Sequence, residues 1–289
     1  MSPFSAAETS SDYRLVPSSN GGGQLGLSLA VGKVDSDAYP DVVVGEPKYQ
    51  NGGGDGRLQF YKGSHFTSGS GDVTPDATIG APSGGGNTGN FGISVAVGLL
   101  DGDAYSDVLV GAPFKFSNDG RAYIFPANGD GSGLTTGASP SVTLVSQSSA
   151  ERFGTAVLIA DWSDDGTNDA IVGAPQAAAG GTNRGSVYWF DDPLVNQGVD
   201  ETLSGAQNNE FYGRVLAAGK FSNDPRTVLA IGAYLWDKNP ANTGDNDGRV
   251  VVAMVPEYPE VLTAVVLFLA IAGSRRRVRR ARARARTGS

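Results

Sequence analysis

Four times in order, this chain runs through the same three segments, and that repetition limits its fold more than any other feature. The first segments read QLGLSLAVG (24–32), NFGISVAVG (90–98), RFGTAVLIA (152–160) and FYGRVLAAG (211–219). The second read DVVVGEP (41–47), DVLVGAP (107–113), DAIVGAP (169–175) and VLAIGAY (228–234). The third read GRLQFY (56–61), GRAYIF (120–125), GSVYWF (185–190) and GRVVVA (248–253). The glycines of the first segments, Gly26, Gly92, Gly154 and Gly213, stand 66, 62 and 59 residues apart.

Each segment is short, β-branched or apolar, and flanked by turn residues, so each reads as a strand. A fourth strand follows in DATIG (76–80), VTLVS (142–146) and ETLSG (201–205). Four antiparallel strands in a repeat of about 60 residues predict a propeller blade. One blade leaves its apolar faces open, and stacking covers them. The expected fold is therefore an all-β propeller with blades at about 24–81, 90–146, 152–205 and 211–254. The 42 glycines agree with it, because they cluster with Asn, Asp and Ser in turns that need φ > 0. The fourth repeat has no fourth strand, whereas DYRLV (12–16) precedes an opening glycine as the other fourth strands do. That strand either closes a four-bladed ring through the last blade or ends an upstream blade outside this chain. Residues 1–11 are read as disordered.

The succession of FG, an Asp-rich loop, VGAP and GxVYxF resembles the FG-GAP repeats of integrin α-subunit propellers and their prokaryotic relatives. The resemblance covers residues 12–254. It implies a ring, usually of seven blades, and calcium held in the loop between the first and second strands of a blade.

The third of those loops is the fullest. Asp161, Ser163, Asp165 and Asp169 put oxygens at the first, third, fifth and ninth places, and Gly166 permits the bend at the sixth. Calcium takes six to eight oxygens on a flexible loop, some from backbone carbonyls. The resemblance adds the carbonyl of the seventh residue, Thr167, and so implies Asp161, Ser163, Asp165, Thr167 and Asp169 as ligands. The first loop carries Asp35, Asp37, Tyr39 and Asp41 at the third, fifth, seventh and ninth places, and the second carries Asp101, Asp103, Tyr105 and Asp107. Both lack the first ligand, having Lys33 and Leu99 there, and both have alanine (Ala38, Ala104) where the third has glycine. Water fills the gap, or the Lys33 ammonium serves as an internal cation. The fourth loop keeps Asp224 but has Val228 at its ninth place, and no calcium is expected there.

The remaining conspicuous residues read as core. Phe91, Phe153 and Tyr212 precede repeat glycines and are expected between blades. Tyr123, Phe125, Tyr188 and Phe190 alternate along third strands. Trp162 and Trp236 lie in or beside loops, where core and ligand-facing roles both stand open. The one histidine, His65, reads as a solvated turn residue, and the chain has no cysteine. Histidine-based triads and thiol chemistry therefore have almost nothing to work with. The paired aspartates belong to the repeat, so the chain is expected not to be an enzyme.

After Val255 the composition changes. Residues 255–274 contain VPEYP and the apolar run VLTAVVLFLAIAG (261–273), and residues 275–289 contain eight arginines. The net charge of −8 divides into −14 for residues 1–255 and +6 for the tail. An acidic body speaks against a nucleic-acid partner. Thirteen apolar residues rise about 20 Å as a helix, which spans a membrane only with help from its flanks. The arginines place the tail in the cytoplasm and the propeller outside. Pro256, Glu257, Tyr258 and Pro259 resemble the VPEFP motif of the archaeal PEF-type C-terminal signal, which implies an archaeosortase-like processing enzyme as a partner. MSPFSAAETSSDYRLV has neither a basic start nor an apolar run. With the unpaired opening strand, this reads as a chain that begins partway through a longer protein.

The expected function is a calcium-stabilised, membrane-anchored cell-surface propeller that binds an extracellular protein or glycan, as in adhesion, without catalysis. The alternatives are a structural envelope component without a discrete ligand, and the non-catalytic part of a larger surface hydrolase.

Overall fold

The computed structural model describes residues 12–19, 22–49, 55–84, 89–220, 226–239 and 246–254. The N-terminal stretch 1–11, Asp224, the 255–274 motif and helix and the 275–289 tail lie outside them. Among the described residues, no helix is long and apolar enough to cross a membrane.

The chain opens with β1 (Tyr13–Leu15). The first blade is β2 (Ser28–Gly32), β3 (Asp41–Glu46) and β4 (Arg57–Tyr61), then β5 (Gly71–Val73) in a connection, and β6 (Ala77–Gly80). The second is β7 (Ser94–Gly98), β8 (Asp107–Ala112), β9 (Arg121–Phe125) and β10 (Val142–Leu144). The third is β11 (Ala156–Ala160), β12 (Asp169–Ala174), β13 (Ser186–Phe190) and β14 (Glu201–Ser204). The fourth is β15 (Val215–Gly219), β16 (Val228–Ala233) and β17 (Arg249–Met254). The first three blades are four-stranded antiparallel sheets in chain order, and the fourth has three described strands. The first three strands of each repeat, and the fourth strand of the first three repeats, lie where the sequence reading put them. β1 pairs in parallel with β5, Tyr13 opposite Gly71, and not with β17.

Alternation along the strands gives each inner blade two apolar faces. The first interblade core joins Val43, Leu58, Phe60 and Ile79 of the first blade to Phe91, Val108, Val110, Tyr123 and Phe125 of the second. The next joins Leu109, Ile124 and Leu144 to Phe153, Val172, Tyr188 and Phe190. The last joins Trp162, Ile171 and Val187 to Tyr212, Leu229 and Ile231. Burying a Phe or Leu of this kind stabilises by about 1.5–3 kcal/mol. Phe91, Phe153 and Tyr212 therefore lie between blades as expected, and the ring edges of Phe91 meet Tyr123 and Phe125.

The repeated glycines form the junctions. Gly26, Gly92, Gly154 and Gly213 hold φ of 90, 89, 90 and 86°, a region open to glycine. This turn pushes the glycine carbonyl toward the preceding blade. A Cβ on Gly45, Gly111 or Gly173 would collide with the carbonyl oxygen of Gly92, Gly154 or Gly213. The backbone N–H groups of Phe91, Phe153 and Tyr212 donate to Asp55 O, Asp119 O and Arg184 O of the preceding blade, at 2.8, 3.1 and 3.0 Å. The FG pair of one blade is thus a plug, and the VGAP glycine of the blade before it is the socket.

The two outermost blades differ from the inner ones. On the first, Glu46, Gln59 and Tyr61 stand where the second blade has Ala112, Tyr123 and Phe125, and with Arg57 they form a polar group. Glu46 Oε2 accepts from Arg57 Nε and from Gln59 Nε2 at 2.6 Å, and the Tyr61 hydroxyl donates to Gln59 Oε1 at 2.8 Å. The segment after β1 lies over this group: Val16 O, 2.9 Å from the Tyr61 hydroxyl, shares that group's single proton with Gln59 Oε1, and Arg57 Nη1 donates to Ser18 Oγ at 3.0 Å. Leu29 and Val31 of β2 stay exposed, as do Val215 of β15 and Val250, Val252 and Met254 of β17.

Candidate functional site

In each of the first three blades, the loop from first to second strand ends on an aspartate that opens the second strand. Asp41, Asp107 and Asp169 are all fully buried. Each turns one oxygen back to the loop's beginning. Asp41 Oδ2 accepts from Val34 N and Asp35 N at 2.8 and 3.0 Å. Asp107 Oδ2 accepts from Leu100 N at 2.8 Å, and Asp169 Oδ2 from Trp162 N and Ser163 N at 2.8 and 2.9 Å. Val228 stands at this position in the fourth blade and has no oxygen to offer.

Between those ends the loops are nested Asx turns, in which a carboxylate accepts from the N–H two residues on. Asp35 Oδ1 receives Asp37 N at 2.8 Å and Asp37 Oδ1 receives Tyr39 N at 2.8 Å. Asp101 Oδ1 receives Asp103 N at 2.9 Å, and Asp103 Oδ1 receives Tyr105 N at 2.7 Å. In the third loop Asp161 receives Asp165 N and Gly166 N at 3.1 and 3.0 Å, and Asp165 Oδ1 receives Thr167 N at 2.9 Å. Gly166 takes φ of 89°, the bend expected of it. In the first two loops each oxygen in these bonds keeps a second lone pair for a cation, whereas Asp165 Oδ1 accepts from both the N–H and the hydroxyl of Thr167.

The loops lie side by side. Ser106 N donates to Lys33 O at 2.7 Å, and Asn168 Nδ2 to Leu99 O at 2.9 Å. Each loop is therefore tied to its neighbour along one rim of the blades.

In the first loop, one carboxylate oxygen from each of Asp35, Asp37 and Asp41 comes within 4.8 Å of the others. That spread suits a hard cation with Ca–O distances of about 2.3–2.6 Å. The positive charge inside this loop comes from Lys62, at the end of the third strand, and not from Lys33. Lys62 Nζ is 3.1 Å from Asp35 Oδ2, while Lys33 is exposed. The bond to Asp35 raises the Lys62 pKa, with the charges of Asp76 and Asp41 adding to it. Burial pushes the Asp37 carboxyl up, but N–H donors of Tyr39 and Ser64 and the nearby Lys62 outweigh it, and its pKa is lowered.

The second and third loops carry protonatable buried carboxyls. Burial, then the charges of Asp101 and Asp103, push Asp107 up to about 6. Burial, then the charge of Asp191, push Asp169 up to about 7. The loops differ in the second oxygen of the terminal aspartate. Asp41 Oδ1 accepts from Gly63 N at 2.9 Å and Asp107 Oδ1 from Ala127 N at 3.2 Å. Asp169 Oδ1 and Ser163 Oγ are buried and make no hydrogen bond of good geometry, although the Trp189 indole N–H stands close enough to the Asp169 carboxyl to temper its raised pKa. A buried, unpaired carboxylate oxygen is costly, and a cation bound between Asp169 and Ser163 would satisfy both. Among the described residues, however, only the first loop brings three carboxylates to within 4.8 Å of one another; those of Asp101, Asp103 and Asp107 and of Asp161, Asp165 and Asp169 are not so gathered.

Sequence reasoning did not find Lys62, Gly63 or Ala127, which reach the loops from the far end of the third strand; only the register of that strand would have placed them. Trp162 is settled as core: it is buried, with its ring 5.4 Å edge-on to Trp189. Trp236 is half-buried and lies under Arg249, 5.4 Å from its guanidinium. His65 is exposed as expected, its Nε2 3.0 Å from Asp76 Oδ2.

Comparison with known proteins identifies an FG-GAP repeat at residues 91–125. The chain is 27% identical over 228 residues to phosphatidylinositol-glycan-specific phospholipase D of Rattus norvegicus, covering 74% of this chain and 26% of that protein. It is 29% identical over 235 residues to integrin alpha-5 of Xenopus laevis, covering 73% and 20%. It is 35% identical over 125 residues to integrin alpha-7 of Homo sapiens, covering 42% and 9%. The chain spans about a quarter of the length of the phospholipase relatives. With the repeated antiparallel sheets, these matches support an FG-GAP β-propeller. They also overturn the expectation that the chain is not an enzyme, since relatives aligned over about three quarters of it are phospholipases.

Proposed function

We propose that this chain is a calcium-stabilised propeller of a cell-surface protein, whose loops bind an extracellular protein or glycan. The observation that carries the reading is the rim of three neighbouring Asp loops, each locked by a buried aspartate, one with an unpaired carboxylate oxygen. Calcium would stiffen the hairpins of that rim and add stability by binding only the folded state. By this reading Asp161, Ser163, Asp165, Thr167 and Asp169 form the tightest site. The clusters of Asp35, Asp37, Tyr39 and Asp41 and of Asp101, Asp103, Tyr105 and Asp107 are weaker. The integrin alpha likeness favours adhesion as the use of the ligand surface.

The test is calorimetry of the full chain. Calcium should raise the melting temperature, EGTA should reverse the rise, and titration should show at least one saturable site. An unchanged transition would sink the calcium claim. Ligand binding is checked separately on glycan and extracellular-protein arrays.

A second reading rests on the phospholipase likeness: the propeller serves a surface hydrolase and brings it to a phosphatidylinositol-glycan. Vesicles carrying such a glycolipid should then retain the chain, and vesicles of plain phosphatidylcholine should not. For the tail, the proposal is an anchor with the propeller outside and the arginines in the cytoplasm, processed at Pro256–Pro259. Mass spectrometry of the mature C-terminus distinguishes a processed chain from an intact one.

A further inference from the structure

The connection from β9 to β10 carries a hairpin, residues 127–133, that stands between the first two Asp loops. Asn128 and Gly133 face each other across it, and Gly131 N donates to Asn128 O at 2.8 Å. Asn128 Nδ2 donates to Ser132 Oγ at 2.9 Å, and Ser132 N to Asp130 Oδ1 at 2.9 Å. Gly131 and Gly133 hold φ of 76 and 79°, where a side chain would be strained. The hairpin is thus shaped by its own bonds and glycines.

It belongs to the second blade but leans on the first. Ser36, between Asp35 and Asp37, donates its N–H to Gly131 O at 2.8 Å. A Cβ on Gly131 would stand 2.5 Å from Ser36 Cβ, and one on Gly133 would stand 3.1 Å from Asp35 Cβ. Leu134, just after the hairpin, is buried in the core between the two blades. Beyond it, Gly137 N donates at 3.0 Å to the carbonyl oxygen of Thr78, on the fourth strand of the first blade.

The same hairpin borders the second loop. At its base, Ala127 N is the donor to Asp107 Oδ1. A Cβ on Gly129 would be in ordinary contact with Asp103 Oδ2, at 3.8 Å. One on Gly131 would come within 2.7 Å of the Tyr105 hydroxyl. The third place of the first loop and the fifth, seventh and ninth places of the second therefore meet on one turn of chain.

We propose that this hairpin couples the first two loops, so that calcium held by one tightens the other. The proposal rests on the calcium reading given above. Of the two, the first loop takes the leading ion, because its three carboxylates already lie within 4.8 Å. With Asp35, Asp37 and Asp41 turned in on that ion, Ser36 N is held toward Gly131 and the hairpin stays docked. The docked hairpin keeps Ala127 N on Asp107 and lies against Asp103 and Tyr105. Ordering the hairpin costs chain entropy, and that cost falls on the first ion alone. The second ion binds more tightly as a result, and linkage makes the effect equal in either order.

The test is calcium titration calorimetry of the full chain carrying Asp169→Asn, which leaves the first two loops. Adding Asp41→Asn or Asp107→Asn makes chains with one loop each. The product of the two stepwise binding constants should exceed the product of the single-loop constants by about fivefold or more. Gly131→Ala should bring the two products level, since its methyl pushes Ser36 away. Gly129→Ala should keep the excess. A cooperative melting transition in EGTA shows that each variant is folded. A second measurement leaves the hairpin unaltered. In the chain with Asp107→Asn and Asp169→Asn, calcium in the first loop should slow amide exchange across residues 127–133 of the second blade. Level products with the natural hairpin, or an excess that survives Gly131→Ala, overturn the coupling and leave the calcium reading standing. So does exchange at 127–133 that calcium fails to slow. An Asp169→Asn chain that binds no calcium overturns both the coupling and the calcium reading of these two loops.

Discussion

Gly111 stands so close to the carbonyl oxygen of Gly154 in the next blade that no Cβ fits between them. The contact explains why two glycines recur in each repeat, one supplying the turn and the other the space. Gly111→Ala should therefore destabilise by about 1–3 kcal/mol, the usual cost of overpacking. Thermal unfolding would register this as a fall of about 2–4 °C per kcal/mol for a chain of this size. Gly173→Ala should behave alike, since it faces Gly213 O. Gly80→Ala is the control: a Cβ there meets nothing, and the transition should not move.

Asp169 should account for most of the calcium effect in the third loop. Asp169→Asn keeps an oxygen for Trp162 N and Ser163 N but removes the buried charge. In EGTA above neutral pH, the variant should be at least as stable as the unmodified chain. In calcium it should lose the third-loop share of the rise in melting temperature. Calorimetry in both buffers checks the pair of outcomes. A variant that melts early in EGTA yet keeps the full calcium response would contradict the role given to this carboxylate.

Strands and blade order were legible in the sequence because each repeat writes its strand period and turn glycines in one stretch of chain. The aspartate ladder was legible for the same reason, as Asx turns need only residues two apart. What escaped was set by neighbours distant in sequence. Lys62 reaches Asp35 from the end of the third strand, 27 positions on, so local spacing pointed to Lys33. Trp162 sits at the second place of the fullest loop, where composition suits a ligand contact. Its burial comes from the fourth blade, which packs Tyr212 and Leu229 into the same core. The pairing of β1 with β5 depends on the first blade's long connection rather than on any pattern in YRL.

Stability without calcium should fall as pH rises. Asp107 and Asp169 are raised from 3.8 to about 6 and about 7 in the folded chain. The folded state thus holds protons that the unfolded chain has released. Their contribution is complete below about pH 3.8 and is lost as pH climbs through 6 and 7. In EGTA the melting temperature should decline from pH 5 to pH 8. The gain from calcium should grow across the same window, since the ion takes the place of the proton. Melting curves at unit pH steps, with and without calcium, measure both trends; a calcium response that is flat or shrinks with pH would count against these carboxyls as ligands.

Lys62 acts in the first loop as the counter-charge to Asp35. With Lys62→Gln, three carboxylates within 4.8 Å would face one another without an ammonium. Like charges so close destabilise, so the EGTA melting temperature should fall. The same change removes a competitor for the cation, and the first loop should bind calcium more tightly. Isothermal titration of the Asp169→Asn background isolates the weaker loops for this comparison. An unchanged affinity in the double variant would show that Lys62 leaves the loop when the ion enters, making its contact with Asp35 a surface ion pair of the calcium-free state alone.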